Sequence, residues 1–138
     1  MPLALLLFLN LLIINQTELL EKYRGKNRII ILFTPDYQDH RFQRQQAIFQ
    51  NSKDKFRERD VIIIEMNQNN GYGESQYSEA EVLQIRKKFS VKSSEYSVIL
   101  IGKDGLEKSR YSDVVQAEQL FSLIDSMPMR KEEMKNRR

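Results

Sequence analysis

A chain of 138 residues has room for one core, since a folded domain takes roughly 100 to 200 residues. At 41% hydrophobic and 30% charged it is apolar enough to fold rather than stay disordered. The lack of cysteine excludes disulfides, thiolate metal centres and thiol redox catalysis, and a lone histidine excludes sites built on two of them. The net charge of +3 resides wholly in residues 130–138, where Arg130, Lys131, Lys135, Arg137 and Arg138 outweigh Glu132 and Glu133. A neutral body with a basic end is not the basic face that a nucleic-acid binder presents to phosphates, so no nucleic acid is expected as a partner. Residues 130–138 read as a solvated basic tail, or alternatively as a weak tether to an anionic surface.

In chain order, Leu3 to Ile14 comes first, apolar except for Asn10 and shorter than the roughly 20 residues of a spanning helix. Its length suits the apolar part of a secretory signal, so residues 1–15 are expected to be a signal peptide or membrane anchor. Residues 3–14 would then give weak membrane association, and the protein would be exported to the periplasm, envelope or extracellular space. No Lys or Arg precedes the run and no small-x-small site follows it. A buried structural helix, and with it a cytoplasmic setting, therefore stays open.

A short helix is expected around Thr17 to Tyr23. Arg28 to Thr34, ended by Pro35, is a β-branched run that predicts a strand buried on both faces. Phe42, Phe49 and Phe56, spaced by seven, predict one amphipathic helix from Asp39 onwards. Asp60 to Met66 predicts a second strand, making a right-handed parallel βαβ unit. Asn67 to Tyr77 has no apolar period and predicts a mobile polar loop. Ser78 and Glu81 form a capping box for a helix that buries Val82, Ile85 and Phe89 and ends near Ser90. Ser97 to Gly102 predicts a third strand, and Lys103-Asp104-Gly105 a tight hairpin into a fourth, about Leu106 to Tyr111. Asp113 with Gln116 caps a last helix burying Ala117, Leu120, Phe121 and Ile124, and Pro128 discourages continuation beyond Met127. Met127, Met129 and Met134 would close that end of the core. The order β-α-β-α-β-β-α predicts, for residues 16–129, an α/β thioredoxin-like domain with a four-stranded mixed sheet and helices on both faces.

Particular segments add to this pattern. Lys26-Asn27-Arg28 leads into the first strand, Phe33-Thr34-Pro35 closes it and Glu58-Arg59-Asp60-Val61 opens the second. Ile99-Leu100-Ile101-Gly102-Lys103-Asp104-Gly105 spans the hairpin, and Leu123-Ile124-Asp125-Ser126-Met127-Pro128-Met129-Arg130 lies near the end. In this order and spacing, over roughly Leu20 to Met134, they resemble a bacterial family of unknown function. Its domain is also the repeated domain of vertebrate sushi-repeat-type extracellular-matrix proteins. The resemblance implies a thioredoxin-like fold and export, with matrix or cell-adhesion roles among the vertebrate members, and it brings no enzymatic activity with it. The chain departs from the family pattern at Thr34, where many relatives carry Ala, and in the loop Asn67 to Asn70.

In thioredoxin-like folds the reactive group follows the first strand, where a helix N-terminus stabilises a thiolate. Here that stretch, Pro35 to Arg41, holds no sulfur. The second redox element, a cis-proline before the third strand, would fall near Glu95 to Ser97, where the chain has Tyr96. Asp36, Asp39 and His40 offer oxygen and nitrogen ligands, which leaves a thiol-free metal-dependent enzyme or redox accessory as one reading. The same residues also serve plain structural ends, Asp39 as helix cap and Asp36 in the turn after Pro35. Tyr37, Tyr72, Tyr77 and Tyr96 fall in predicted loops, the first and last at the end of the sheet where the redox site is lost. The expectation is a non-catalytic, exported protein-binding module without cofactor or metal, contacting a protein partner through Tyr37, Asp39, His40 and Tyr96.

Overall fold

The computed structural model describes residues 19–137. Residues 1–15, expected to be a signal or anchor, and the beginning of the expected short helix at Thr17 lie outside the described residues; of that helix, a 3-10 turn spans Glu21–Tyr23. The elements that follow are β1 (Arg28–Phe33), α1 (His40–Asn51), α2 (Lys53–Glu58), β2 (Val61–Met66), β3 (Gly71–Tyr72), β4 (Gln76–Tyr77), α3 (Glu79–Phe89), β5 (Ser97–Ile101), β6 (Glu107–Tyr111), α4 (Ala117–Asp125) and α5 (Pro128–Asn136). No helix among the described residues is long and apolar enough to cross a membrane.

Every residue of β1 is buried, as its β-branched sequence requires, because the strand lies inside the sheet. It pairs parallel with β2, Ile30 opposite Ile63, and antiparallel with β5, Ile30 opposite Leu100. The sheet order is β4-β3-β2-β1-β5-β6. This corrects the expected four strands to six. The additional pair is a hairpin inside the polar segment Asn67–Tyr77, read from sequence as a loop, and it places Tyr72 opposite Glu65 and Gly71 opposite Met66. Two-residue strands are too short to show an alternating pattern, so nothing in the sequence announced them. Gly71 permits the close pairing: a Cβ there would stand 3.0 Å from Met66 Cγ and 3.2 Å from Tyr77 Cβ.

Alternation along the strands divides the core. Ile30, Leu32, Val98 and Leu100 face α1, α2 and α4; Ile29, Ile31, Phe33, Ile62, Ile64 and Ile99 face α3 and the 3-10 turn. The single helix expected from Asp39 is split at Ser52 (φ −117°, ψ 18°) into α1 and α2. The seven-residue spacing still delivers its rings across the break. Phe49 and Phe56 meet edge-on at 5.4 Å, and Phe56 lies 4.6 Å from Phe121 of α4. The capping box on α3 forms as read, with Ser78 Oγ accepting from the Glu81 amide and Glu81 accepting from the Ser78 amide.

The solvated tail is a second correction. Pro128 does not end the helical region; it occupies the first turn of α5, where its missing N–H costs nothing. Arg130 and Arg28 are each only 1% exposed. Glu133 accepts from Arg28 Nη1 and Nη2 (3.1 and 3.2 Å) and from Lys103 Nζ (2.6 Å). Lys103 also reaches Asp60 (2.9 Å), and Asp125 accepts from both Arg130 (3.1 Å) and Arg59 (2.9 Å). Two cations of the basic end thus meet carboxylates outside α5, Arg130 at Asp125 and Glu58 and Arg137 at Asp60. Of the methionines, Met127 packs half-buried against the core, whereas Met129 is exposed.

Candidate functional site

The site lies where β1 ends and α1 begins. Thr34, fully buried, donates its hydroxyl to the Asp36 carbonyl (2.7 Å) and accepts from the Asp36 amide (3.3 Å), folding the chain back through Pro35. Asp36 Oδ1 accepts from the Gln38 amide (2.9 Å), which fixes the next turn. Asp39 then caps α1, accepting from the Arg41 amide at 2.8 Å.

The same carboxylate takes a fork of hydrogen bonds from Arg41, Nε at 3.1 Å and Nη2 at 2.8 Å. Those bonds hold the Asp39 carboxyl below its ordinary range. The Arg41 guanidinium is 4.9 Å from the centre of the Tyr96 ring. Below it the Tyr96 hydroxyl donates to Gln45 Oε1 (3.0 Å), which also accepts from the Val115 amide (2.9 Å), while Gln45 Nε2 donates to the Val115 carbonyl (2.8 Å). Burial raises the Tyr96 pKa, so the phenol remains a neutral donor. Asp39, Arg41, Tyr96 and Gln45 thus form a stack from solvent to core beside the end of β1. None of the described peptide bonds is cis.

Tyr37 goes the other way around the start of α1. Its ring packs on Phe42 (5.0 Å) and Tyr72 (6.2 Å), and its hydroxyl donates to Asn70 Oδ1 (3.1 Å). Burial pushes its pKa up to about 12. His40 is exposed at the first position of α1. The four residues expected to form one contact surface therefore separate. Tyr37, Asp39 and His40 reach the surface, Tyr96 is buried and supports it from below, and Tyr77, read as a loop residue, is a buried β4 residue. Asp36, Asp39 and His40 do not converge, and among the described residues no three His, Asp or Glu side chains gather where they could hold a metal ion.

A further cation lies under this end of the sheet. Arg86, buried in α3, donates to the carbonyls of Thr34 (3.0 Å), Asn67 (3.2 Å) and Lys92 (2.7 Å) and lies 5.2 Å from the Phe33 ring. Burial lowers its pKa. It clamps three loops at the turn, a role invisible in a helix that shows only basic residues in its last turn. Gln45 did leave a signal, since it falls between Phe42 and Phe49 on the apolar stripe of α1.

The family described as domain of unknown function, DUF4174, matches residues 19–133. Human sushi repeat-containing protein SRPX is 29% identical over 121 residues, covering 84% of this chain and 26% of its own length. Human sushi repeat-containing protein SRPX2 is 26% identical over 142 residues, covering 99% and 30%. The chain thus spans between a quarter and a third of these curated relatives. Among solved structures, the reduced 2-Cys peroxiredoxin of Plasmodium vivax superposes with a TM-score of 0.65 at 16% identity, over 82% of this chain and 84% of that one. Thioredoxin peroxidase I of Plasmodium yoelii gives 0.64 at 17%, over 82% and 79%. At such identity the likeness is one of fold: a thioredoxin-like α/β domain with a mixed sheet.

Proposed function

The chain belongs to the DUF4174 family, and from that premise we propose that it is a thiol-free thioredoxin-like domain that binds a protein partner outside the cytoplasm, through the end of the sheet where this fold elsewhere carries chemistry. The observation that carries this reading is the Asp39–Arg41–Tyr96 stack. The positive end of α1, which in a thiol enzyme would stabilise an anionic nucleophile, is already answered by Asp39, and the space beneath is filled by an aromatic ring. Asp39 is held as cap and ion-pair partner, and Tyr96 as a buried hydrogen-bond donor. What remains at the surface is a rigid turn presenting Asp36, Gln38 and His40, flanked by half-buried Tyr37 and Arg41. Rigid backbone with a few adaptable polar groups beside an aromatic suits recognition. The likeness to sushi repeat-containing proteins and the apolar run at residues 3–14 support the extracytoplasmic setting.

The test places a photo-crosslinking amino acid at exposed Gln38 in the native cell, with exposed Leu83 on the opposite face as control. One discrete protein adduct at Gln38, absent at Leu83 and reduced at least tenfold by Arg41→Ala, is the expected result. Folded protein with no adduct at Gln38, or with identical adducts at both positions, would overturn the assignment.

A further inference from the structure

A hollow separate from the turn after β1 lies along the sheet. It has a volume of about 580 Å³ and runs along β2 from Val61 to Glu65, a span of about 13 Å at 3.3 Å per residue, beneath α1 and α2. Ile63, Phe49 and Phe56 give it apolar walls. Lys53 and Arg57 of α2 stand beside the start of β2, and Glu65, Tyr72 and Glu74 beside its end.

Glu65 is the unusual member. It is the sole charged residue in a strand that is otherwise Val-Ile-Ile-Ile-Met, and it is half-buried. Its two oxygens each accept from Gln46 Nε2 at 3.2 Å, among the described residues a single neutral donor for a full negative charge. Of the other carboxylates that line the hollow, Asp60 is taken up by Lys103 and Glu74 stands exposed in the turn between β3 and β4. A carboxylate retains about four acceptor directions, so most of the capacity of Glu65 is unused. Cross-strand pairing puts Tyr72 directly opposite Glu65 on the same face of the sheet, with 45% of Tyr72 exposed, and Tyr37 backs its ring at 6.2 Å. A half-buried anion beside a supported aromatic face, over an apolar floor, is the chemistry that receives a planar cation.

We propose that this hollow binds the guanidinium of an arginine side chain from a protein partner, with Glu65 as its counter-ion and Tyr72 as its stacking surface. Guanidinium fits better than ammonium because it can fork onto the carboxylate and lie flat on the ring at once. Lys53 and Arg57 at the other end of the hollow oppose a polycation, so a free polyamine is the wrong ligand. Burial pushes the Glu65 carboxyl above its usual pKa, hydrogen bonds from Gln46 opposing, as expected of an acid lacking its cation.

The assignment of a partner rests on the reading of the chain as a binding domain, and a defined probe separates the two. Titrate the isotope-labelled chain with the peptide acetyl-Gly-Arg-Gly-amide, following amide resonances, and repeat with the citrulline peptide and with spermidine. Saturable shifts centred on Glu65, Tyr72 and Gly73, at least tenfold weaker for citrulline and for Glu65→Gln, are expected. No saturable shift there, or equal affinity for the citrulline peptide, would overturn the site; tighter binding of spermidine would overturn the protein source. Glu65→Gln keeps a hydrogen-bonding side chain beside Gln46, and its resonance dispersion reports whether it is folded; Tyr72→Ala, losing at least fivefold in affinity, supplies a second variant. Loss of the Gln38 crosslink would leave these shifts untouched, so either reading can fail alone.

Discussion

Replacing Glu133 with glutamine should destabilise the protein far more than a change near its C-terminus ordinarily does. Glu133 is the carboxylate on which Arg28 relies: beyond it, among the described residues, Arg28 donates only to the Arg59 carbonyl (3.0 Å). Lys103 would keep Asp60, and Arg130 would keep Asp125 and Glu58, so the loss falls on a single stranded cation that is 1% exposed. Removing one partner of a buried pair costs about 3–5 kcal/mol. The Glu133 side chain is 18% exposed and Gln retains an acceptor, which places the expected loss at the lower end, about 3 kcal/mol. With a urea slope of about 2 kcal/mol/M, the unfolding midpoint should fall by about 1.5 M at unchanged slope. Arg28→Met combined with Glu133→Gln removes the stranded charge and should return to within about 1 kcal/mol of the parent. A loss below about 1 kcal/mol for Glu133→Gln, or a double variant as unstable as the sum of the singles, would refute the argument that this pair closes the C-terminal helix.

Gln45→Leu leaves the Tyr96 hydroxyl and both polar groups of Val115 without their partner, and should cost about 2–4 kcal/mol in urea unfolding, whereas the same change at exposed Gln43 should stay within about 0.5 kcal/mol. For Asp125 and Glu133 burial alone would raise the pKa, but hydrogen bonds from Arg59 and Arg130, and from Arg28 and Lys103, outweigh it and hold both below their ordinary values. The unfolded chain therefore takes up protons first as pH falls, so stability is full above the ordinary carboxylate range and declines below about pH 4; equilibrium unfolding between about pH 5 and 3 should show this decline, shallower in Glu133→Gln. Glu65 has the opposite sign. Its raised pKa means that the folded state prefers the proton, so Glu65→Gln should raise the unfolding midpoint at about pH 7, and binding of the arginine peptide should weaken on acidification at a higher pH than an ordinary glutamate would give.

What the sequence discloses here depends on the range of the interaction. β1, β2 and β5 announce themselves because their apolar runs are almost unbroken, and the capping box on α3 because it is completed within four residues. The break at Ser52 is hidden because Phe42, Phe49 and Phe56 keep one face on either side of it. The hairpin of β3 and β4 is hidden because its partner, β2, is what makes its polar residues extended. At the site, Asp36 and Asp39 act locally and were legible as turn and cap. Tyr96 was not, since its burial depends on Arg41 and Gln45, more than fifty residues earlier. The basic end failed as a tail for the same reason: its carboxylate partners lie on other elements, and a local count of charge cannot see them.

The ion pair between Arg28 and Glu133 joins positions 105 residues apart, one at the first residue of an inner strand and the other in the last helix. During synthesis the strand leaves the ribosome long before its counter-ion does, so a nascent chain shorter than about 133 residues carries an unmatched cation at the edge of its forming core. Completion of the domain is thereby coupled to completion of translation through α5. A chain truncated before that helix would be left for proteolysis rather than accumulate as a slightly shorter domain.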